Sequence, residues 1–143
     1  MTPEQKNLSK ALAYAGILPP WIALAIAQVF PLAEAGFAAL VYGAIIVSFV
    51  CGMHWTLSMQ TPSLPVNLLV TSNAGALAAW AMLVLSIWSM PFAYVGLAAV
   101  LALLLGIDRL LLRDGAIEPW FWVVRRNASI GLATGLLLWS ILA

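Results

Sequence analysis

The chain has 143 residues, of which 64% are hydrophobic and 8% charged. A soluble domain runs near about 45–50% apolar and about 25% charged, so a water-soluble fold of this length is excluded and a lipid bilayer is the expected solvent. A net charge of +1 leaves no basic footprint for nucleic acid, and one cysteine, Cys51, excludes an intrachain disulfide and a multi-cysteine zinc site.

A membrane-crossing helix needs about 20 predominantly apolar residues. Stretches at about 10–30, 36–58, 66–88, 91–112 and 123–143 meet that requirement. The expected fold is an all-α membrane bundle of five transmembrane helices forming one domain. The breaks hold Pro31, then Pro62 and Pro65, then Pro91, then Gly115 and Pro119. Proline lacks an amide N–H and marks helix ends, and Pro91 suits a first turn. Pro19 and Pro20 fall inside the first stretch, where a kink packed against neighbouring helices is expected. Lys6, Lys10 and Ala25-Ile26-Ala27 imitate a cleavable signal, but the two prolines interrupt its apolar region, and the segment is read as a true helix.

Charge sets the orientation. Lys6 and Lys10 precede the first stretch, while Arg109, Arg113, Arg125 and Arg126 flank the fourth-to-fifth connection. With the N-terminus inside and the C-terminus outside, every basic residue is cytoplasmic and the outer loops carry only Glu34. Between the last two helices, Glu118-Pro119-Trp120-Phe121-Trp122 reads as a short interfacial segment: an ordinary aromatic belt, or a docking surface for a partner or lipid headgroup.

Small residues suggest how the helices close: Ala44, Ser48 and Gly52; Ser72 and Ala76 beside Gly75 and Ala79; Ala98, Ala102 and Gly106; and the pair Gly131 and Gly135. These are expected to serve contacts within the chain.

Polar groups collect in the cytoplasmic half. Tyr14 lies near the inner end of the first helix, His54 roughly 6 Å inside the second, and Asn73 roughly 10 Å inside the third. Asp108 and Arg109 end the fourth, and Arg125, Arg126 and Asn127 begin the fifth. Together with Ser48 and Trp55, these residues except Asn127 form the candidate binding cluster. Two accounts stand side by side. In one, Asp108 pairs with Arg109, Arg125 or Arg126, and His54 meets Asn73 or a backbone carbonyl, fixing helix register. In the other, His54, Asp108 and the arginines line a pocket where guanidinium forks hold a carboxylate or phosphate, and the imidazole takes up a proton near neutral pH. A quinone or lipid headgroup would fit there.

Cys51 and His54 form Cys-x-x-His, three apart on one helix face. Two ligands do not complete a zinc site, so no metal is expected. No phosphate loop, paired catalytic carboxylates or Ser-His-Asp set is visible, and no cofactor is required. The triplet Asn127-Ala128-Ser129 matches a glycosylation acceptor but lies on the inner side.

The stretch 41–55 carries Tyr42-Gly43-Ala44, Ser48-Phe49 and Gly52-Met53-His54-Trp55 along one helix. With Asp108-Arg109, Gly115, Pro119-Trp120-Phe121, Arg125 and the opening segment 13–19, it resembles domain-of-unknown-function family 3429 over nearly the whole chain. Where that pattern often has glycine, this chain has Cys51. The resemblance implies a small polytopic protein of bacterial inner membranes with mitochondrial relatives, and associates it with energy-coupling membranes. It singles out Tyr42, Gly43, Ser48, His54, Trp55, Asp108 and Arg109.

Three functions follow as expectations. The first is an accessory, assembly or stabilising subunit of a larger membrane complex, for which a membrane-protein partner or self-association is expected. The second is an oligomeric channel or transporter with a cytoplasmic-side His/Asp/Arg site. The third is a small membrane protein that binds a quinone or haem.

Overall fold

The computed structural model describes residues 1–61 and 67–143. Its elements in chain order are α1 (Pro3–Ala15), α2 (Leu18–Ile26), α3 (Leu32–Gln60), α4 (Leu68–Leu85), α5 (Met90–Arg113) and α6 (Pro119–Leu142). No strand occurs among the described residues. Pro62, Pro65 and the expected helix start at residue 66 lie outside the described residues.

The first expected span, 10–30, is corrected. Helix begins earlier, at Pro3, because Thr2 and Gln5 form a reciprocal cap: Gln5 N donates to Thr2 Oγ1 at 3.2 Å and Thr2 N donates to Gln5 Oε1 at 3.0 Å. The helix then breaks at Gly16-Ile17, and α2 ends at Ile26 rather than near residue 30. The cause of the break is Pro19-Pro20. Neither can donate to a carbonyl four residues back, so both sit in the first turn of a new helix, where no donor is needed.

Pro31 occupies the N-cap of α3, whose 29 residues make it about 43 Å long, more than the roughly 30 Å hydrocarbon core. Asn67 caps α4 by accepting from Val70 N at 3.3 Å. Pro91 lies in the first turn of α5, as its missing N–H permits. Between α5 and α6 the chain reverses over a few residues, with Gly115 at φ +76°, a left-handed conformation that favours glycine.

That short reversal corrects a second expectation. Residues 118–122 are not separate from the last helix. Glu118 is the extended N-cap of α6, Pro119 is its first helical residue and presets the helical φ, and Trp120, Phe121 and Trp122 complete the first turn.

Four segments are long and apolar enough to cross a membrane: Pro3–Ile26, Leu32–Gln60, Leu68–Leu85 and Met90–Arg113. The fold is therefore that of an all-helical, multi-pass membrane protein. Helix α6 has 24 residues, as many as α5, but Arg125, Arg126 and Asn127 lower its mean hydropathy and it falls outside that set.

Helices α5 and α6 pack antiparallel as a hairpin, α3 packs on α4, and α2 packs on α3 and α6. The shared core contains Leu40, Val47, Leu97, Leu101 and Leu136, all buried. At the end of the bundle away from the α5–α6 reversal, the rings of Tyr94 and Trp139 stack with centroids 6.3 Å apart. Tyr94 donates to the carbonyl of Gly36, and Trp139 Nε1 donates to the carbonyl of Pro20 at 3.0 Å. A Cβ at Gly36 would lie 2.9 Å from the Tyr94 hydroxyl and 3.1 Å from the Trp139 ring, so any larger residue there requires one of them to shift.

The small-residue stripes divide. Gly131 and Gly135 face Ile17, Pro20 and Trp21, so that pair admits the first helical segment to α6. Gly75 lies against Cys51 and joins α4 to α3. In the stripe Ala44, Ser48, Gly52 only Ala44 is buried, and in Ala98, Ala102, Gly106 only Ala98. A four-residue step advances about 40° around a helix, so later members of a long stripe leave the contact face.

Candidate functional site

Three helices contribute one side chain each to a buried polar centre. Helix α3 supplies His54, α5 supplies Asp108 and α6 supplies Arg125. His54 Nε2 donates to Asp108 Oδ1 at 2.7 Å. Arg125 donates twice to the other oxygen, Oδ2, from Nε at 3.1 Å and Nη2 at 2.9 Å. His54 and Asp108 are each 2% exposed and the Arg125 side chain 13%.

The arrangement is what low dielectric demands. A buried carboxylate is costly unless paired and hydrogen-bonded, and Asp108 has both oxygens engaged and a guanidinium as counter-ion. The carboxylate only accepts, so His54 Nε2 carries the hydrogen. In the neutral imidazole Nδ1 is then an acceptor, and it has no hydrogen-bond partner among the described residues.

The other members of the expected cluster lie elsewhere. Asn127 Nδ2 donates to Tyr14 Oη at 3.2 Å, and Arg126 Nε donates to Asn127 Oδ1 at 3.3 Å, a separate chain tying α1 to α6. Arg109 lies over the Trp122 ring, 5.6 Å from its centroid. Asn73 does not meet His54; it is exposed and returns its amide to the carbonyl of Leu69 at 2.7 Å. Ser48 and Trp55 are also exposed, on faces of α3 turned away from the centre. Of the nine residues expected together, His54, Asp108 and Arg125 meet.

Other residues singled out by the resemblance have structural tasks. Pro20 leaves the carbonyl of Gly16 without its helical donor, and Tyr42 Oη supplies one at 2.6 Å. Gly43 admits Leu136 and Leu97, whose methyl carbons would lie 3.1 Å and 3.3 Å from a Cβ there. Cys51 is buried with its Sγ turned to Gly75. Among the described residues no group of three or more His, Cys, Asp or Glu side chains is placed to hold a metal ion.

Beside the buried centre lies a cavity of about 370 Å³ between α1, α3 and α6, and Arg125 forms part of its wall. Its lining is otherwise almost wholly apolar, with Ser129 among the exceptions. In the sequence Ser129 reads only as the end of a glycosylation triplet. The available signal was its position four residues after Arg125, which places both side chains on one face of α6. Tyr94 and Trp139 were likewise unmarked, because an aromatic residue near a helix end reads as belt rather than core.

No curated protein and no solved structure matched the chain. The profile of one family, described as protein of unknown function (DUF3429), matches residues 5–142. Since that match covers nearly every helix described above, the chain belongs to the DUF3429 family.

Proposed function

We propose that this protein is a five-span, N-in/C-out protein of the bacterial inner membrane that serves as an accessory or stabilising subunit of a larger membrane complex. The observation that carries the reading is the closed His54–Asp108–Arg125 centre. Its strongest polar bonds are spent within the chain, joining α3, α5 and α6. Tyr42 and Gly43 are used in the same way, for fixing one helix against another. A carboxylate held on both oxygens is poorly placed to release and rebind an ion during transport, which favours a fixed scaffold over a conducting path. What such a scaffold offers outward is its lipid-facing surface, where large apolar side chains including Phe49, Trp80 and Phe92 are exposed.

The test is native mass spectrometry of the protein extracted from its own membrane in mild detergent. A stoichiometric complex with another membrane protein is expected. Recovery solely as monomer or homo-oligomer, under conditions that keep known membrane complexes intact, overturns the accessory reading.

A further inference from the structure

The cavity between α1, α3 and α6 has two donors on one wall and apolar side chains nearly everywhere else. Arg125 commits Nε and Nη2 to Asp108, while its Nη1 has no partner among the described residues. One turn further along α6, Ser129 is 7% exposed and lines the same cavity. Buried serines elsewhere in the bundle return their hydroxyl to a carbonyl of their own helix: Ser72 to Leu69 and Ser86 to Leu83. Ser129 makes no such bond among the described residues, and it stands in the cavity wall. That hydroxyl is free to donate, and an oxygen acceptor on a ligand in the cavity would give it a partner.

We propose that this cavity binds a neutral, flat, carbonyl-bearing lipophile of the quinone class, its carbonyl oxygen accepting from Arg125 Nη1 and Ser129 Oγ. Three features define that chemistry. Asp108 already balances the Arg125 charge, and a second anion on the same guanidinium would stand beside the Asp108 carboxylate, so at Arg125 a neutral oxygen is favoured over a carboxylate or phosphate. Phe121, one turn before Arg125, lines the cavity as an aromatic wall for a ring, edge-on to Trp120, whose own ring carries Lys6 Nζ at 4.9 Å and Lys10 Nζ at 5.8 Å from its centroid. The volume, about 370 Å³, is at the small end for small-molecule sites and suits a ring headgroup with the first part of a tail. The tail leaves past Phe49, which lines the cavity yet is 65% exposed toward lipid.

The inference does not rest on the accessory reading, and its test needs no partner. The whole chain is placed in phosphatidylcholine nanodiscs and titrated with decylubiquinone, with tryptophan quenching as the readout, since Trp120 lines the cavity. Saturable quenching is expected, weakened about fivefold by Ser129→Ala through the loss of one hydrogen bond. Ala128→Phe, which fills the cavity, is expected to abolish it. Ser129→Ala removes one oxygen and little packing, so the test stands even where Ala128→Phe does not fold. Quenching that never saturates, or that Ser129→Ala leaves unchanged, is partition into lipid and overturns the proposal. Displacement by oleic acid at equal concentration overturns the preference for a neutral carbonyl.

Discussion

The hydroxyl of Tyr42 lies 2.6 Å from the carbonyl oxygen of Gly16, the oxygen that Pro20 leaves without an amide donor. A tyrosine on α3 thus repairs a defect made by a proline at the start of α2, and the kink is held by a bond between helices. Tyr42→Phe is expected to lower stability by about 1 kcal/mol, since it leaves the part-buried carbonyl of Gly16 without a donor. Pro20→Ala restores a backbone N–H to the same carbonyl. In that background Tyr42→Phe is expected to cost less, and unfolding in mixed detergent and SDS measures the coupling. Equal costs in both backgrounds would break the link between tyrosine and proline.

The buried centre predicts an ordering rather than a single number. Asp108→Ala leaves Arg125 and His54 buried without their acceptor and is expected to cost about 3–5 kcal/mol. Replacing all three together, His54→Leu, Asp108→Leu and Arg125→Met, removes every charge at similar volume and is expected to stay within about 2 kcal/mol of the parent. Thermal unfolding of both variants in detergent checks the order. A triple variant less stable than Asp108→Ala would mean that the centre contributes more than mutual satisfaction of its members.

How much of this was legible in the sequence depends on the kind of information. Position along each helix was largely readable, since proline breaks mark where the helices end. Facing was not. Helices α3 and α4 are apolar nearly all round, so no polar stripe marks the lipid side. Asn73 has a depth like that of His54 but points outward, and nothing in the local pattern distinguishes them. Asp108 had three candidate arginines. Arg109 is its chain neighbour and points about 100° away around α5, and Arg126 is turned about 100° from Arg125 on α6, which leaves Arg125 facing Asp108. A disturbance at Pro19-Pro20 was readable, though as a kink rather than the break between α1 and α2, and the start of α1 was missed because the capping pair Thr2 and Gln5 precedes the apolar run.

Close packing of α3 on α4 gives a third prediction. A Cβ on Gly75 would lie 2.7 Å from Cys51 Sγ, nearer than the two atoms can stand. Gly75→Ala is expected to destabilise by about 1–3 kcal/mol through overpacking. Cys51→Ala removes the sulfur, so the double variant is expected to recover most of that loss. Additive losses in a double-mutant cycle would show that the two residues do not compete for the same space.

The number of crossings is decided by the two ends of the chain. If α6 crosses the membrane, its first turns with Arg125 and Arg126 stay cytoplasmic and Ala143 emerges on the opposite side from Glu4. If α6 stays on the inner face, four crossings return both ends to one side. The chain has one cysteine, which is buried, so Cys51→Ala gives a background for sided thiol labelling. In that background, Ala143→Cys is expected to react with a membrane-impermeant maleimide added to intact spheroplasts. Glu4→Cys is expected to react only after the membrane is opened. Labelling of both positions from one side would remove α6 from the membrane. It would also leave the Asp108–Arg125 pair at the inner surface, where water screens it and the large cost expected for Asp108→Ala shrinks toward that of an exposed ion pair.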